Sequence, residues 1–470
     1  MATLPSPDEV NLPGRVLFRS GVHSQISGAG LRLGEGVLTT DDWMGWLGDE
    51  SQNPPHWPTS KTVGDFDWSN LNPKFFNINL TQINGQKLAD LFNSYITTGE
   101  TPVITIITQN ISKTVYGPNA DFADLDDAYA WLSQRTISTR GSVTLIFPAI
   151  RIVETKIYSI NHPNGDRIVW QGAPLKQKTP APSSLQVTGN TPVAQATDAA
   201  ANLTYLRQCF ATEIYFTQGG YINFSANLNS VTNIIFSSDG TVGGNPYVRG
   251  LVVSGCTVIF NNVAITGFDD CGLQVGNGGA VGILYGTTVY IFGNGGGGAL
   301  VETNSFLSLT YGALCIVGNG GRHQNDFPCI GLSVDDNSLV AAYPYYSEKQ
   351  PSVLYVVGNS GDGVLIATAT LAGAMTFTSQ SNGGNGVSLT SGARYRVVNA
   401  VISNNAASGM QADSFSLANM AGTTVINNGN AGIAAYNGSF VFRNYSTVYG
   451  NAVDYSPAIG QTGNTGALMA

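Results

Sequence analysis

Asn359, Asn382, Asn405, Asn428 and Asn451 stand 23 residues apart, and Gly363, Gly386, Gly409 and Gly432 each follow four residues after one of them. Behind each glycine comes an apolar pair spaced by two: Val364 and Ile366, Val387 and Leu389, Met410 and Ala412, Ile433 and Ala435. A spacing of two is the strand period. Self-similarity at roughly 20–50 residues marks a solenoid, a propeller or an array. Units rich in Gly, Asn, Thr and Val without a 3.6-residue period exclude helical repeats, and a propeller blade needs roughly 40 residues. The pattern predicts an all-β fold, a parallel β-helix solenoid with coils of about 23 residues, each made of three short strands and their turns. A disordered Gly/Asn-rich segment would not keep apolar residues in register.

Each residue type then has a physical task. The repeated glycine is expected to supply positive φ at a corner. The asparagine amide both donates and accepts, so stacked copies can form a ladder from coil to coil. The apolar pairs point inward and stack about 4.8 Å apart. Upstream, Asn294 with Gly298 keeps the four-residue offset, and Asn319 with Gly320 keeps it loosely. Asn319 to Asn359 is 40 residues, 23 plus 17. The extra residues divide into about eight in "GGRHQNDFPCIG" and about nine in "AAYPYYSEKQPSV". One coil therefore carries two inserted loops, and insertions in repeats often lie on the binding face.

Composition bounds the function. Charged residues make up 11% and the net charge is −9, which argues against a nucleic-acid stripe. No apolar run is long enough for a membrane helix, and "MATLPSPDEV" lacks the features of a signal peptide. The five cysteines (209, 256, 271, 315, 329) have no C-x-x-C spacing and sit mostly among apolar neighbours, as small hydrophobes do. The four histidines are scattered, so no metal site is expected. "GNGGGG" at 293–298 matches G-x-G-x-x-G, but a strand-like run follows it where a dinucleotide site needs a helix. "GNSGDG" lacks the recurring positions of calcium-binding repeats. No cofactor is expected.

Outside the repeat the chain changes character twice. Residues 1–110 hold Trp43, Trp46, Trp57 and Trp68 and read as a small mixed domain, either simply aromatic-cored or a docking module. "GQKLADLFNSY" has helical spacing and "TPVITIIT" reads as a strand. Residues 111–215 read as a neck and cap. "FADLDDAYAWL" places Leu125, Ala128, Tyr129 and Leu132 on one helical face, suited to covering the end of the stack. Three strand-like runs follow, and residues 172–205 read as a long loop or arm. The β-helix is assigned to 216–455 and a short tail to 456–470.

The order "FADLDDAYAWL", "VTLIFPA", "INHPNGDRIVWQG", "LVVSGCTVIFNNVAITGFDDCGLQV" and then "GNGG" coils resembles bacteriophage tail fibres and tailspikes over roughly residues 115–455. The resemblance implies a right-handed parallel β-helix, a homotrimer, and recognition of the host surface. It also implies attachment to a phage tail or baseplate protein through residues 1–110. The expected location is the virion tail, assembled in the host cytoplasm. No catalytic residue carries over, because members of the family place their active sites differently. The short tail leaves no room for the large C-terminal domain that some members carry.

The candidate carbohydrate-binding residues lie in the two insertions: Arg322, His323 and Asp326 in one, Tyr343, Tyr345, Tyr346 and Glu348 in the other. Tyrosine rings offer flat faces with a polar tip, while Arg and carboxylates hydrogen-bond hydroxyls. The same loops are equally suited to locking neighbouring subunits. Hydrolysis would need two carboxylates flanking a sugar. Asp326 with Glu348 is the pair most readily exposed together, and Asp335–Asp336 ranks below it. The expected function is adhesion to host surface polysaccharide, and the alternative is a depolymerase, hydrolase or lyase, acting on capsule or lipopolysaccharide. A cellular β-helix enzyme such as a pectinase or epimerase is disfavoured by the N-terminal module and the absent signal peptide.

Overall fold

The computed structural model describes residues 18–21, 36–39, 45–47, 105–242, 248–321, 329–342, 351–373, 375–456 and 468–469. The chain divides into two compact units, Met1–Gln82 with Gln86–Val103, and Ile83–Gly85 with Ile104–Ala470. In the first unit Phe18–Gly21 runs parallel to Gly36–Thr39, which pairs antiparallel with Gly45–Leu47. Trp43, Trp57, Trp68 and the helix expected over 85–95 lie outside the described residues.

The second unit is a parallel β-helix. One coil shows its plan: Ser352–Val357 on face A, Val364–Ala367 on face B and Thr370–Gly373 on face C. The next coil lays Met375–Gln380, Val387–Thr390 and Arg394–Val398 on these three strands in parallel. The eight apolar residues of the 23-residue register are all buried, as their alternation requires. Parallel pairing already begins with Asn110–Thr114, Ser142–Ile146 and Ile168–Gln171, within the residues assigned to the neck. Their turns vary in length, so no fixed period marks them. At the other end Leu468–Met469, from the tail, pairs with Phe440 and Val441 on face C.

The N-terminal end of the stack is covered by α1 (Leu125–Ser133). Asp124 caps this helix by accepting from Asp127 N at 2.9 Å. Leu125, Ala128 and Leu132 are fully buried. Tyr129 uses its polar tip, accepting from Trp170 Nε1 at 3.1 Å. Trp170 in turn packs between Phe147 and Phe224, with ring centroids 5.4 and 5.6 Å away. Large rings crowd the interior here, where the coils are irregular, and aliphatic pairs dominate it downstream, with Phe377 and Tyr395 among them.

The expected asparagine ladder is present. Nδ2 of Asn294, Asn319, Asn359, Asn382, Asn405 and Asn428 each donates to Oδ1 of the next asparagine, at 2.8–3.0 Å. The backbone N–H of each donates to that same oxygen, at 2.9–3.1 Å. Buried polar groups must be paired, and here one amide satisfies both neighbours along the stack.

The expected reason for the glycines is corrected. Gly363, Gly386, Gly409 and Gly432 do not have positive φ. They are required by close approach. A Cβ on Gly386 would stand 2.5 Å from Ile402 Cγ2, 2.6 Å from Asn405 Nδ2 and 2.7 Å from Gly409 O. The left-handed position is one residue before each ladder asparagine: Gly358, Ser381, Asn404, Asn427 and Gly450, with φ between 55° and 71°.

The expected loop over 172–205 is also corrected. It contains α2, Pro192–Cys209, with Thr191 as N-cap and Pro192 in the first turn. Its apolar residues follow no 3.6-residue stripe, so periodicity did not reveal it. Thr-Pro ahead of an alanine-rich run was the available signal. The arm lies against face A, over Ile235, Ala264, Tyr290 and Cys315. Cys209, Cys256, Cys271 and Cys315 are buried, and burial pushes the thiols of Cys256, Cys271 and Cys315 up.

Candidate functional site

All seven residues proposed from the sequence, Arg322, His323, Asp326, Tyr343, Tyr345, Tyr346 and Glu348, lie outside the described residues. The stems of their segments are described. One leaves after Gly321, between the face A strand Ala313–Val317 and the face B strand Leu332–Val334. The other leaves after Ala342, between the face C strand Leu339–Ala342 and the face A strand Ser352–Val357. The two insertions therefore start from different corners of one coil.

Within the described residues, chemistry gathers at the end of the face B strands. Val301 pairs with Val334 in register, so Glu302 and Asp335, the next residues, occupy successive rungs. Glu302 N donates to Val275 O at 2.9 Å and Asp335 N to Val301 O at 2.8 Å, which carries the parallel ladder through both positions. Adjacent parallel strands are about 4.8 Å apart, so the backbones of the two acidic residues stand one rung from each other. The column continues as Ala367, Thr390, Asp413 and Tyr436.

Glu302 is held from the rung before. Gln274 Nε2 donates to Glu302 Oε1, and Gln274 Oε1 accepts from Arg249 Nη1. Arg249 Nε donates to Asp270 Oδ2 at 3.2 Å. Gly276, on the rung below Glu302, leaves room: the nearest atom to a Cβ built there is Glu302 Oε1, at 3.6 Å. Asp335 takes up a proton more readily than an ordinary aspartate, first because of burial and then because of the charges of Asp336 and Glu302. One carboxylate fixed by a donor, beside another inclined to carry a proton, is the equipment acid–base chemistry on a glycosidic bond uses. It is equally able to accept hydrogen bonds from sugar hydroxyls. Among the described residues, no three His, Cys, Asp or Glu side chains converge to hold a metal ion.

Asp362 and Asp413 serve structure. Asp362 accepts from Asn385 N at 2.6 Å and Ser388 Oγ at 2.5 Å. Asp413 accepts from Ser414 N at 2.7 Å and Asn437 Nδ2 at 2.6 Å. The register contained a signal for the Glu302–Asp335 pair. Glu302 is eight residues after Asn294, and Asp335 is sixteen after Asn319. Subtracting the eight inserted residues puts both in the column that also holds Thr390 and Asp413. A second feature missed from sequence is a set of exposed rings on the last coils: Phe415, Phe440 and Phe442, with Leu417 among them. Phe415 is 79% exposed and is held at φ 61°, where a bulky residue is an outlier.

No family model matches the chain, and no curated protein sequence matches it. Among solved structures it is similar to the A-module of the mannuronan C-5 epimerase AlgE6 of Azotobacter vinelandii, with 11% identity, covering 70% of this chain and 91% of that one, at a TM-score of 0.29. ORF18 of Geobacillus virus E2 shows 10% identity, 95% and 76% coverage and a TM-score of 0.27. The catalytic domain of a GH87 α-1,3-glucanase, solved in complex with tetrasaccharides, shows 12% identity, 73% and 69% coverage and a TM-score of 0.26.

Proposed function

We propose that the chain is a phage tail fibre or tailspike that adheres to host surface polysaccharide. It attaches to a tail or baseplate protein through residues 1–110, works as a homotrimer, and resides in the virion tail after assembly in the host cytoplasm. The observation that carries this reading is the architecture. In the chain an N-terminal unit precedes a parallel β-helix whose own N-terminal end is covered by α1, the division expected of a mounting module and a receptor-binding domain. The exposed rings of Phe415, Phe440 and Phe442 support glycan contact, since flat apolar faces stack on sugar rings.

A second reading has its own support. The Glu302–Asp335 rung favours a depolymerase that cuts the glycan it holds. One experiment addresses both. Purified protein is incubated with envelope polysaccharide from candidate hosts, and binding and oligosaccharide release are measured together. Adhesion predicts retention without release. Release abolished by Glu302→Gln or Asp335→Asn assigns hydrolysis to the rung, since each proton transfer is worth about 10²–10⁴-fold. Binding to no host polysaccharide would overturn both.

A further inference from the structure

The arm is fastened differently from the rest of its unit. The buried side chains of α2 are Gln195, Asp198, Asn202, Leu206 and Cys209, so much of its inward face is polar. Gln195 Nε2 donates to the carbonyls of Asn319 and Gly358, at 3.1 and 2.8 Å. These carbonyls belong to the coil pair that carries the insertions. Asp198 accepts from Thr188 N at 2.7 Å and Gln186 Nε2 at 3.0 Å. At the far end Arg207 forms a bidentate pair with Glu213, at 2.6 and 2.8 Å.

The apolar contacts under the arm are also set apart. Ile235, Ala264, Tyr290, Phe292 and Cys315 form a cluster with Leu206, Cys209 and Phe210 that is separate from the β-helix interior. Packing against the coils is incomplete. A cavity of about 210 Å³ lies between α2 and the corner formed by Gly267, Gly293 and Gly318. Gln195 is among the residues lining it, and its Oε1 is buried without a hydrogen-bond partner, in a residue only 2% exposed.

The coils carry a track for the arm. The left-handed residue before the ladder position is Gly267, Gly293, Gly318 and Gly358 in successive coils, and then Ser381, Asn404 and Asn427. Beyond the arm the next three coils carry Ser or Asn at this position, and glycine returns at Gly450. A Cβ on Gly293 would stand 2.4 Å from Ala199 Cβ, and one on Gly358 would stand 2.6 Å from Val187 Cγ1.

We propose that residues 172–210 form a strap that lifts from face A as one cooperative unit while the β-helix beneath stays folded, uncovering Tyr290, Cys315 and Tyr355. Hydrogen bonds can be exchanged for water on opening at small net cost, and the stranded Gln195 oxygen gains a partner. A cluster that shares no side chains with the main core can open independently of it.

The cysteines provide the test. Native full-length protein is alkylated with N-ethylmaleimide and the modified peptides are followed by mass spectrometry. Cys209, on the inner side of the strap, and Cys315, beneath it, are covered together, and Cys256, in the β-helix interior, reports global unfolding. Cys209 and Cys315 are expected to react at one common rate, at least roughly tenfold faster than Cys256. Gly293→Asn keeps the left-handed backbone but sets a Cβ against Ala199, so both strap rates should rise while that of Cys256 does not. Arg207→Met, which unhooks the far end, should do the same. Rates for Cys209 and Cys315 equal to that of Cys256, or unequal to each other, would overturn the proposal. So would insensitivity of both rates to both substitutions.

Discussion

Asn451 Nδ2 donates to the carboxylate of Asp454 at 3.0 Å, and Asn451 N donates to the same oxygen at 3.3 Å. Every ladder asparagine from Asn294 to Asn428 makes this pair of bonds to the next asparagine. Asp454 thus ends the ladder by imitating the rung that would follow. The last position needs only an acceptor, which a carboxylate supplies. Asp454→Asn should therefore melt with the wild type. Asp454→Ala should cost about 1 kcal/mol in chemical denaturation, modest because Asn451 Nδ2 keeps the carbonyls of Val425 and Tyr449.

Asn405, inside the ladder, should be more sensitive. Its Oδ1 accepts from Asn382 N at 3.1 Å and Asn382 Nδ2 at 2.9 Å, and its own Nδ2 donates onward to Asn428. Asn405→Leu strands buried groups on both sides, each at about 1–3 kcal/mol. The comparison with Asp454→Ala belongs at one protein concentration, because association raises apparent stability. Equal losses at the two positions would contradict a ladder whose interior rungs bond in both directions.

Two glycines separate close approach from backbone conformation. Gly386 lacks positive φ but has Ile402, Asn405 and Gly409 atoms within 2.7 Å of its would-be Cβ. Gly392 has φ 75° and open space around it. Gly386→Ala should cost several kcal/mol, above the roughly 1–3 kcal/mol of ordinary overpacking, because three backbone and side-chain groups must move at once. Gly392→Ala should cost only about 1–2 kcal/mol, the left-handed penalty, and Gly392→Asn should cost less. Urea midpoints in the reverse order would show that the repeated glycine is a conformational requirement after all.

The solenoid was legible because its period is covalent. A 23-residue register of Asn, Gly and inward pairs survives any detail of packing, and the ladder follows from stacking identical amides. What sequence could not show was which neighbour each glycine meets. Gly386 and Gly392 look alike along the chain, but one meets the next coil at close range and the other has a left-handed backbone in open space. α2 was missed for a related reason: its buried face is Gln195, Asp198 and Asn202, so hydrophobic periodicity is silent there. The Glu302–Asp335 rung was half legible. Both carboxylates are visible in the sequence, but bringing them together needs the eight-residue insertion removed from the count.

Tyr395 offers a case where removing a polar group should not harm. It lies fully within the interior beside Phe377, ring centroids 6.3 Å apart, and its hydroxyl has no hydrogen-bond partner. Burial pushes its phenol strongly up. Tyr395→Phe keeps the ring and deletes the stranded oxygen, so the variant should equal or exceed the wild type in thermal stability. A clear loss would mean that a buried water or a neighbouring subunit satisfies the hydroxyl.

Asp335 ties stability to the candidate site through pH. Its folded value is raised above the ordinary 3.8, by burial first and then by Asp336 and Glu302. The groups around the rung are Glu302 and, behind it, Arg249 and Asp270, with Asp336 on the adjoining turn, while the following rung, Ala367, brings no charge. A carboxyl with a raised folded value binds its proton more tightly in the native state. Its contribution is fully present below the unfolded value and is lost as the pH rises through the folded one. At neutral pH the ionised Asp335 therefore works against the fold. Asp335→Asn should raise the melting temperature at pH 7, and the gain should shrink as the pH falls through the folded value and vanish below 3.8. Asp413→Asn is the control. Asp413 lies in the same column and accepts from Ser414 N and Asn437 Nδ2, so its replacement should give no neutral-pH gain. A site kept at the expense of stability is what function demands of a residue. If Asp335→Asn is instead destabilising at neutral pH, Asp335 is a structural residue and the rung loses its standing as the site.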